Sequence, residues 1–293
     1  MKHLHIFSIA AAALFALAGC QEKYTTYSGP SYIAFSDTLN VCPVQQDGEA
    51  FDVMIASTQA CDRDRTFAVE VVDKKSNAVF GHHYTIPSQT VTIPAGERSA
   101  SVKIIGNYDN VSNGDSLSVT LSLVSADDEN WDLYGQTTRV LLKKVCPFDI
   151  HSFEGHCRIL SSFWLYYNSR YIERISEVQV APDADDVLII KDFLMDGYDI
   201  RLRVDNSDIL SPKLRLDGDQ VIGDTRIPFN YIYGDGRMFV TEPPIDNVID
   251  ICEKFAYVYE TLYVKEVGMI GTFVSILQWL TEEEERAYES TLE

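Results

Sequence analysis

The sequence predicts an all-β protein: an immunoglobulin-like sandwich, then an antiparallel β-meander that closes into a barrel-like domain, then a short C-terminal helix. Three observations predict it. Short runs of alternating apolar and polar residues recur from Tyr32 to Leu280, the period of a strand with one buried face. Clusters such as Pro94-Ala95-Gly96, Asp217-Gly218-Asp219 and Gly234-Asp235-Gly236 interrupt these runs at strand-length intervals. Only from Thr281 does a helical start, Thr-Glu-Glu-Glu, replace the two-residue period.

The sandwich is assigned to residues 31–146. Its strands are read at 31–35, 67–71, 90–93, 101–104, 117–123 and 137–142, because apolar residues fall at every second position. Residues 117–123, Leu-Ser-Val-Thr-Leu-Ser-Leu, are the cleanest case, with one face buried and one wet. Pro147 cannot donate to a ladder and marks the break. The second domain, 147–293, shows strands at 178–180, 187–190, 198–204, 213–216, 226–233, 237–241, 255–264 and 271–280, with an apolar, aromatic run over 157–167. Eight or nine strands in about 150 residues suit an antiparallel meander closing on itself. Thr281 and Glu284 form a capping box, with three early acids at the positive end of the helix.

Hydrophobic residues make up 46% of the 293, enough for two real cores. The net charge of −20 repels phosphates, so no nucleic-acid partner is expected.

The N-terminus resembles a bacterial lipoprotein signal. Lys2 supplies the charge, Ile6 to Ala18 the apolar run, and Leu17-Ala18-Gly19-Cys20 the lipobox. The run is shorter than the ~20 apolar residues of a membrane span. The resemblance implies a signal peptide over 1–19, lipidation of Cys20, a tether over 20–30 and membrane attachment through the N-terminal lipid. It places the protein in the cell envelope, at the outer membrane because Gln21 rather than Asp follows the cysteine, and leaves surface and periplasmic faces open.

His83-Tyr84-Thr85, Thr90 to Glu97, Val102-Lys103-Ile104 and Asn113 to Leu121 together resemble the Calx-beta pattern. That resemblance implies the sandwich fold. Several Calx-beta domains bind calcium through acidic loops. Here only Asp109 and Asp115 match acidic positions, and His83 stands where the family usually has Asp, so no calcium or other cofactor is expected. The second domain resembles the lipocalin-like domains of Bacteroidetes envelope lipoproteins at Phe153-Glu154-Gly155, 187–193 and 199–205. The order of the two domains resembles lipoproteins of unknown function from the same bacteria.

Five cysteines remain besides Cys20: 42, 61, 146, 157 and 252. The odd count leaves at least one thiol unpaired or paired outside the chain, and Cys42–Cys61 is one pairing among several that spacing allows. Cys146, His151, His156 and Cys157 cluster in sequence, but the cysteine spacing is not that of a zinc site. There is no Gly-x-Ser-x-Gly, P-loop or Gly-x-Gly-x-x-Gly, so the protein is read as a non-enzyme without catalytic residues. Aromatic residues point instead to binding. Trp164, Tyr166, Tyr167 and Tyr171 cluster, as do Tyr231 and Tyr233. If 157–167 is a strand, Trp164 and Tyr166 share a face, and one of the two faces is core. Trp164, Tyr166, Tyr231 and Tyr233 are therefore the candidate ligand residues, for a glycan or an envelope protein partner, because such rings combine an apolar face with a polar edge. A structural or adhesive fimbrial-type subunit is the alternative, and a glycan-active enzyme stands behind it.

Overall fold

The computed structural model describes residues 27–124, 135–167 and 173–292. The signal peptide, Cys20 and Tyr171 lie outside the described residues. Nine strands build the first unit: β1 (Ile33–Phe35), β2 (Leu39–Val44), β3 (Phe51–Ser57), β4 (Arg65–Val71), β5 (Tyr84–Thr85), β6 (Thr90–Ile93), β7 (Ser99–Gly106), β8 (Leu117–Val124) and β9 (Thr137–Lys144). They form two sheets, ordered β1-β3-β7-β5 and β2-β9-β8-β4-β6. The apolar inner positions of both sheets, among them Phe35, Ile55, Ile93, Ile104, Leu121 and Leu142, make one core. This is the expected sandwich, with β2, β3 and β5 added.

The strand β8 departs from the expected alternation, since Ser118 and Thr120 on its polar face are also buried. The segment before β5 covers them. Asn77 accepts from the Ser118 N–H at 2.6 Å, and the Thr120 hydroxyl donates to the Lys75 carbonyl at 3.0 Å. The predicted turn at Pro94-Ala95-Gly96 forms, with Gly96 at φ +82° and the Glu97 N–H on the Pro94 carbonyl.

Ten strands follow: β10 (Gly155–Ser161), β11 (Arg174–Val180), β12 (Val187–Met195), β13 (Tyr198–Asp205), β14 (Lys213–Leu216), β15 (Gln220–Asp224), β16 (Arg237–Thr241), β17 (Asn247–Asp250), β18 (Phe255–Val264) and β19 (Gly268–Trp279). Eight of them close an antiparallel barrel in the order β10-β11-β12-β13-β14-β17-β18-β19, with β19 returning to pair with β10. The β15–β16 hairpin extends from β18 outside that ring. The barrel interior is filled: Ile159, Phe163, Trp164, Phe193, Leu202 and Leu277 are all buried in one core. Outside, Arg201 and Arg203 face solvent as the alternation requires and share the carboxylate of Asp217. These bonds hold the Asp217 carboxyl below the usual range.

Two stretches differ from expectation. Residues 157–167 are not one strand: β10 ends at Ser161 and a helical turn, α1 (Ser162–Tyr167), follows. The Ser161 hydroxyl accepts from the Phe163 N–H at 3.2 Å and the Ser162 hydroxyl from the Val274 N–H at 2.9 Å, so two serines turn the chain off the sheet. Residues 226–233 likewise begin with a helical turn, α2 (Arg226–Phe229), closed by Asn230 in the left-handed region. The terminal helix α3 (Glu282–Leu292) carries the expected capping box: the Thr281 N–H donates to Glu284 at 2.9 Å and the Glu284 N–H to the Thr281 hydroxyl at 3.3 Å.

The disulfide joins Cys146 to Cys252, not Cys42 to Cys61. Cys42 is buried in the sandwich core, where desolvation pushes its thiol up to about 12. Cys146 follows the last sandwich strand and Cys252 lies in the turn between β17 and β18, so the bond ties the end of one unit to the wall of the other. Cys252→Ser is expected to lower stability by about 2–4 kcal/mol. Urea unfolding of wild type with and without reductant should show the same difference; a midpoint indifferent to reductant would mean the bond does not form.

Candidate functional site

The sequence-predicted residues do not all reach one surface. Trp164 is fully buried, and its Nε1–H donates to the Leu194 carbonyl at 3.0 Å. It belongs to the barrel core. Helical rotation rather than strand alternation explains the split: Phe163 and Trp164 point inward, Leu165 and Tyr166 outward. Tyr166 is 75% exposed, Tyr231 62% and Tyr233 41%.

The three exposed tyrosines sit on a continuous string of rings at one end of the barrel. Tyr166 stands 6.5 Å from Tyr167, Tyr167 5.2 Å from Phe229, Phe229 5.5 Å from Tyr233, and Tyr233 4.9 Å from Tyr231, centroid to centroid. Phe273 of β19 supports the string from below, 5.9 Å from Tyr167 and 6.4 Å from Tyr166. These spacings and tilted or edge-to-face angles are those of favourable aromatic pairs. Exposed aliphatic residues flank the rings: Leu165, Ile227, Ile232, Val267 and Met269. Beside Tyr231 lies a shallow depression of about 430 Å³ lined by Arg226, Asn230, Tyr231 and Ile232.

The loop that carries Tyr231 and Tyr233 is held in place from within. Thr225 is fully buried; its N–H donates to the Gly236 carbonyl, and its hydroxyl accepts from the Tyr233 N–H at 3.1 Å. Its carbonyl also accepts from the Phe229 N–H at 3.1 Å. Gly234 has φ +56°, and a Cβ there would meet Val264 and Val267 at 3.1 and 3.2 Å. Only glycine satisfies both the dihedral and the approach to the β18–β19 turn. Arg226 is paired with Asp224 and Arg237 with Asp235. Hydrogen bonds from these arginines, joined at each site by a backbone N–H, hold Asp224 and Asp235 below the usual carboxylate range. The polar rim of the string is therefore ionised and internally neutralised.

Sequence reasoning missed Tyr167, Phe229 and Phe273 as members of the string. Phe229 carries a signal, an aromatic two and four residues before Tyr231 and Tyr233. Tyr167 stands in the aromatic cluster of 164–171 but falls on the opposite face from Tyr166 if that stretch is a strand, and Phe273 carries no signal, because only barrel closure brings α1 beside β19.

The His/Cys cluster does not converge. His151 meets Glu154, His156 meets Glu285 at 2.5 Å, Cys146 is in the disulfide and Cys157 is buried in the barrel core. No group of three or more His, Cys, Asp or Glu among the described residues is arranged for a metal ion. In the sandwich loop Asp115 accepts from the Ser112 N–H at 2.9 Å, and the Asn110 amide donates to the His82 carbonyl. Asp115 fastens the loop itself, and Asn110 ties it to the turn before β5.

Among solved structures, the apo form of the Calx CBD1 domain aligns with 40% of this chain and 98% of its own, at 12% identity and a TM-score of 0.33. A protein of unknown function from Bacteroides ovatus aligns with 88% of this chain and 92% of its own, at 11% identity and a TM-score of 0.34. An auxiliary nutrient binding protein from Bacteroides thetaiotaomicron aligns with 87% and 94%, at 12% identity and a TM-score of 0.31. No curated protein matches the chain. Residues 133–290, more than half of the sequence and the whole barrel, match the family described as Domain of unknown function (DUF4984), and the chain belongs to that family.

Proposed function

We propose that this chain is a lipid-anchored envelope protein that binds a glycan without turning it over, using the aromatic string at the barrel end. The observation that carries the reading is the exposure of Tyr166, Tyr231 and Tyr233 on a loop and helical turn fixed from below. Rings held open to solvent lose little conformational freedom on binding, and tyrosine supplies both a stacking face and a hydrogen-bonding edge. The filled barrel interior directs a ligand to this outer surface rather than into the barrel.

A thermal-shift screen of the soluble chain from residue 21 onward, against host and dietary glycans with and without calcium, tests the reading. A glycan at 100-fold its Kd adds about 2.7 kcal/mol of stability. Tyr231→Ala should weaken that glycan by about 1 kcal/mol or more, roughly fivefold. A screen flat for every glycan would overturn the reading and favour a protein partner on the same rings. The anchor has its own test. Cys20→Ala should release the protein from the membrane fraction, and retention there would refute lipidation at Cys20.

A further inference from the structure

A second concave surface, which shares no residue with the aromatic string, lies where the two units meet. Its floor is the outer wall of the barrel. Val248 on β17 stands opposite Tyr257 on β18, and the Phe255 ring meets the Tyr257 ring edge-to-face at 4.8 Å. Val248 and Tyr257 are 40% and 37% exposed, so an apolar, aromatic strip of the barrel exterior lies open to solvent at the base of the cleft. The end of β9 and the linker form one side, and the 206–212 loop the other. The half-open cleft has a volume of about 360 Å³, within the range of small-molecule sites.

Three bonds fix the two units around this space. The disulfide Cys146–Cys252 closes one end. The Asn113 amide, from the sandwich, donates to Glu253 at 2.9 Å and approaches Asp250 at 3.5 Å. The Lys143 ammonium donates to the Leu210 carbonyl. The rim therefore offers the ammonium groups of Lys143 and Lys144, amides, a hydroxyl from Ser211 and the Asp250 carboxylate, and Glu253, bonded to Asn113 at the edge, balances the second ammonium. Of the two, Lys144 is held over the Tyr108 ring at 4.1 Å and on the Tyr108 carbonyl at 3.1 Å.

We infer that this interdomain cleft is a separate binding site for a neutral saccharide of one or two rings. An aromatic and aliphatic floor suits the C–H face of a sugar ring, and a rim of mixed donors and acceptors without net charge suits its hydroxyls. A fatty chain would leave the rim unpaired, and an anionic ligand would meet Asp250 as well as Lys143. Walls on three sides admit a free disaccharide or the end of a polymer, not the middle of one. The inference rests on the reading of the chain as a glycan-binding protein but places a second event at a different surface.

Calorimetric titration tests it, with maltose and cellobiose in one arm and their polymers, amylose and soluble cellodextrins, in the other. Four variants are compared: Tyr257→Ala, Tyr257→Phe, Val248→Trp and Tyr231→Ala. All three positions are exposed, and unchanged thermal midpoints check the fold. The expected result is that one disaccharide binds, that Tyr257→Ala weakens it about tenfold, that Val248→Trp abolishes binding by filling the floor, and that Tyr257→Phe and Tyr231→Ala leave it within twofold. Polymer binding that shares this variant pattern assigns the site to chain ends; binding of the disaccharide alone assigns it to free sugars. Disaccharide binding lost in Tyr231→Ala and kept in Val248→Trp would overturn the cleft while leaving the aromatic string as the glycan site. No binding of either disaccharide, or binding indifferent to Val248→Trp, would overturn it as well.

Discussion

Replacing Glu260 with Gln is expected to remove most of the pH dependence of stability between pH 4.5 and about 8, and to leave the variant more stable than wild type above that window. Glu260 stands on β18 among inward-facing Ala256, Val258, Leu262 and Val264, and is completely buried inside the barrel. Its Oε1 accepts from the Ser275 hydroxyl at 2.7 Å, and that serine lies 2.9 Å from the Ser161 hydroxyl. No donor among the described residues reaches Oε2. Desolvation therefore outweighs the two serines and raises the carboxyl from its ordinary 4.5 to about 8. Between those values the unfolded chain releases a proton that the folded chain keeps, so stability falls as pH rises and the loss is complete above about pH 8. At 1.36 kcal/mol per pH unit the loss is on the order of 4–5 kcal/mol. Glutamine keeps the acceptor, and its amide never ionises. Urea titrations at pH 5, 7 and 9 should show variant and wild type converging at pH 5 and separating by about 4 kcal/mol at pH 9. Parallel pH profiles would show that the carboxyl is already ionised in the fold, or solvated.

Trp164→Ala is expected to lower stability by about 4–5 kcal/mol, which removes most of the margin of an ordinary domain. The side chain fills the barrel core beside Phe163, Phe193 and Leu194, so truncation leaves a cavity that rigid strands cannot collapse. It also strands the Leu194 carbonyl, worth about 1 kcal/mol. Tyr166→Ala, two residues on and exposed, should change stability by no more than about 0.5 kcal/mol. Equilibrium unfolding of the two variants separates the core residue from the surface one. A folded, stable Trp164→Ala would place that ring outside the core.

The two-residue period identified strands wherever a strand has one wet face. The limits at Lys213–Leu216 and Phe255–Val264 match the structure residue for residue, and β8 is displaced by only one. The period misled where serines capture backbone groups. At 157–167 the pair Ser161-Ser162 interrupts the apolar run, and that pair was the available cue to the turn into α1. At 226–229 a helical turn ends at Asn230, a residue that tolerates the left-handed region, and that was the available cue. The disulfide was not legible, because Cys252 meets Cys146 only through the barrel's closure 106 residues later. Tyr231 and Tyr233 were legible as a pair of rings between turn residues. Trp164 was legible as aromatic but not as core. Glu260 had a signal that went unused, an acid at an inward position of an otherwise apolar stripe.

Each unit pairs an early strand with its last one. In the sandwich, β2 lies parallel to β9, with Cys42 beside Leu142; in the barrel, β10 meets β19, with Ile159 beside Leu277. The second sandwich sheet and the closed ring of the barrel are each therefore completed by the last strand of their unit to be synthesised, and neither can be finished from a partial chain. Loop-closure entropy must be met before these pairings return anything, so folding of this molecule is governed by search over long separations rather than by local structure. Until β19 arrives, β10 and β18 each present an unpaired edge, and the interval between synthesis and closure is when the chain is most exposed to aggregation.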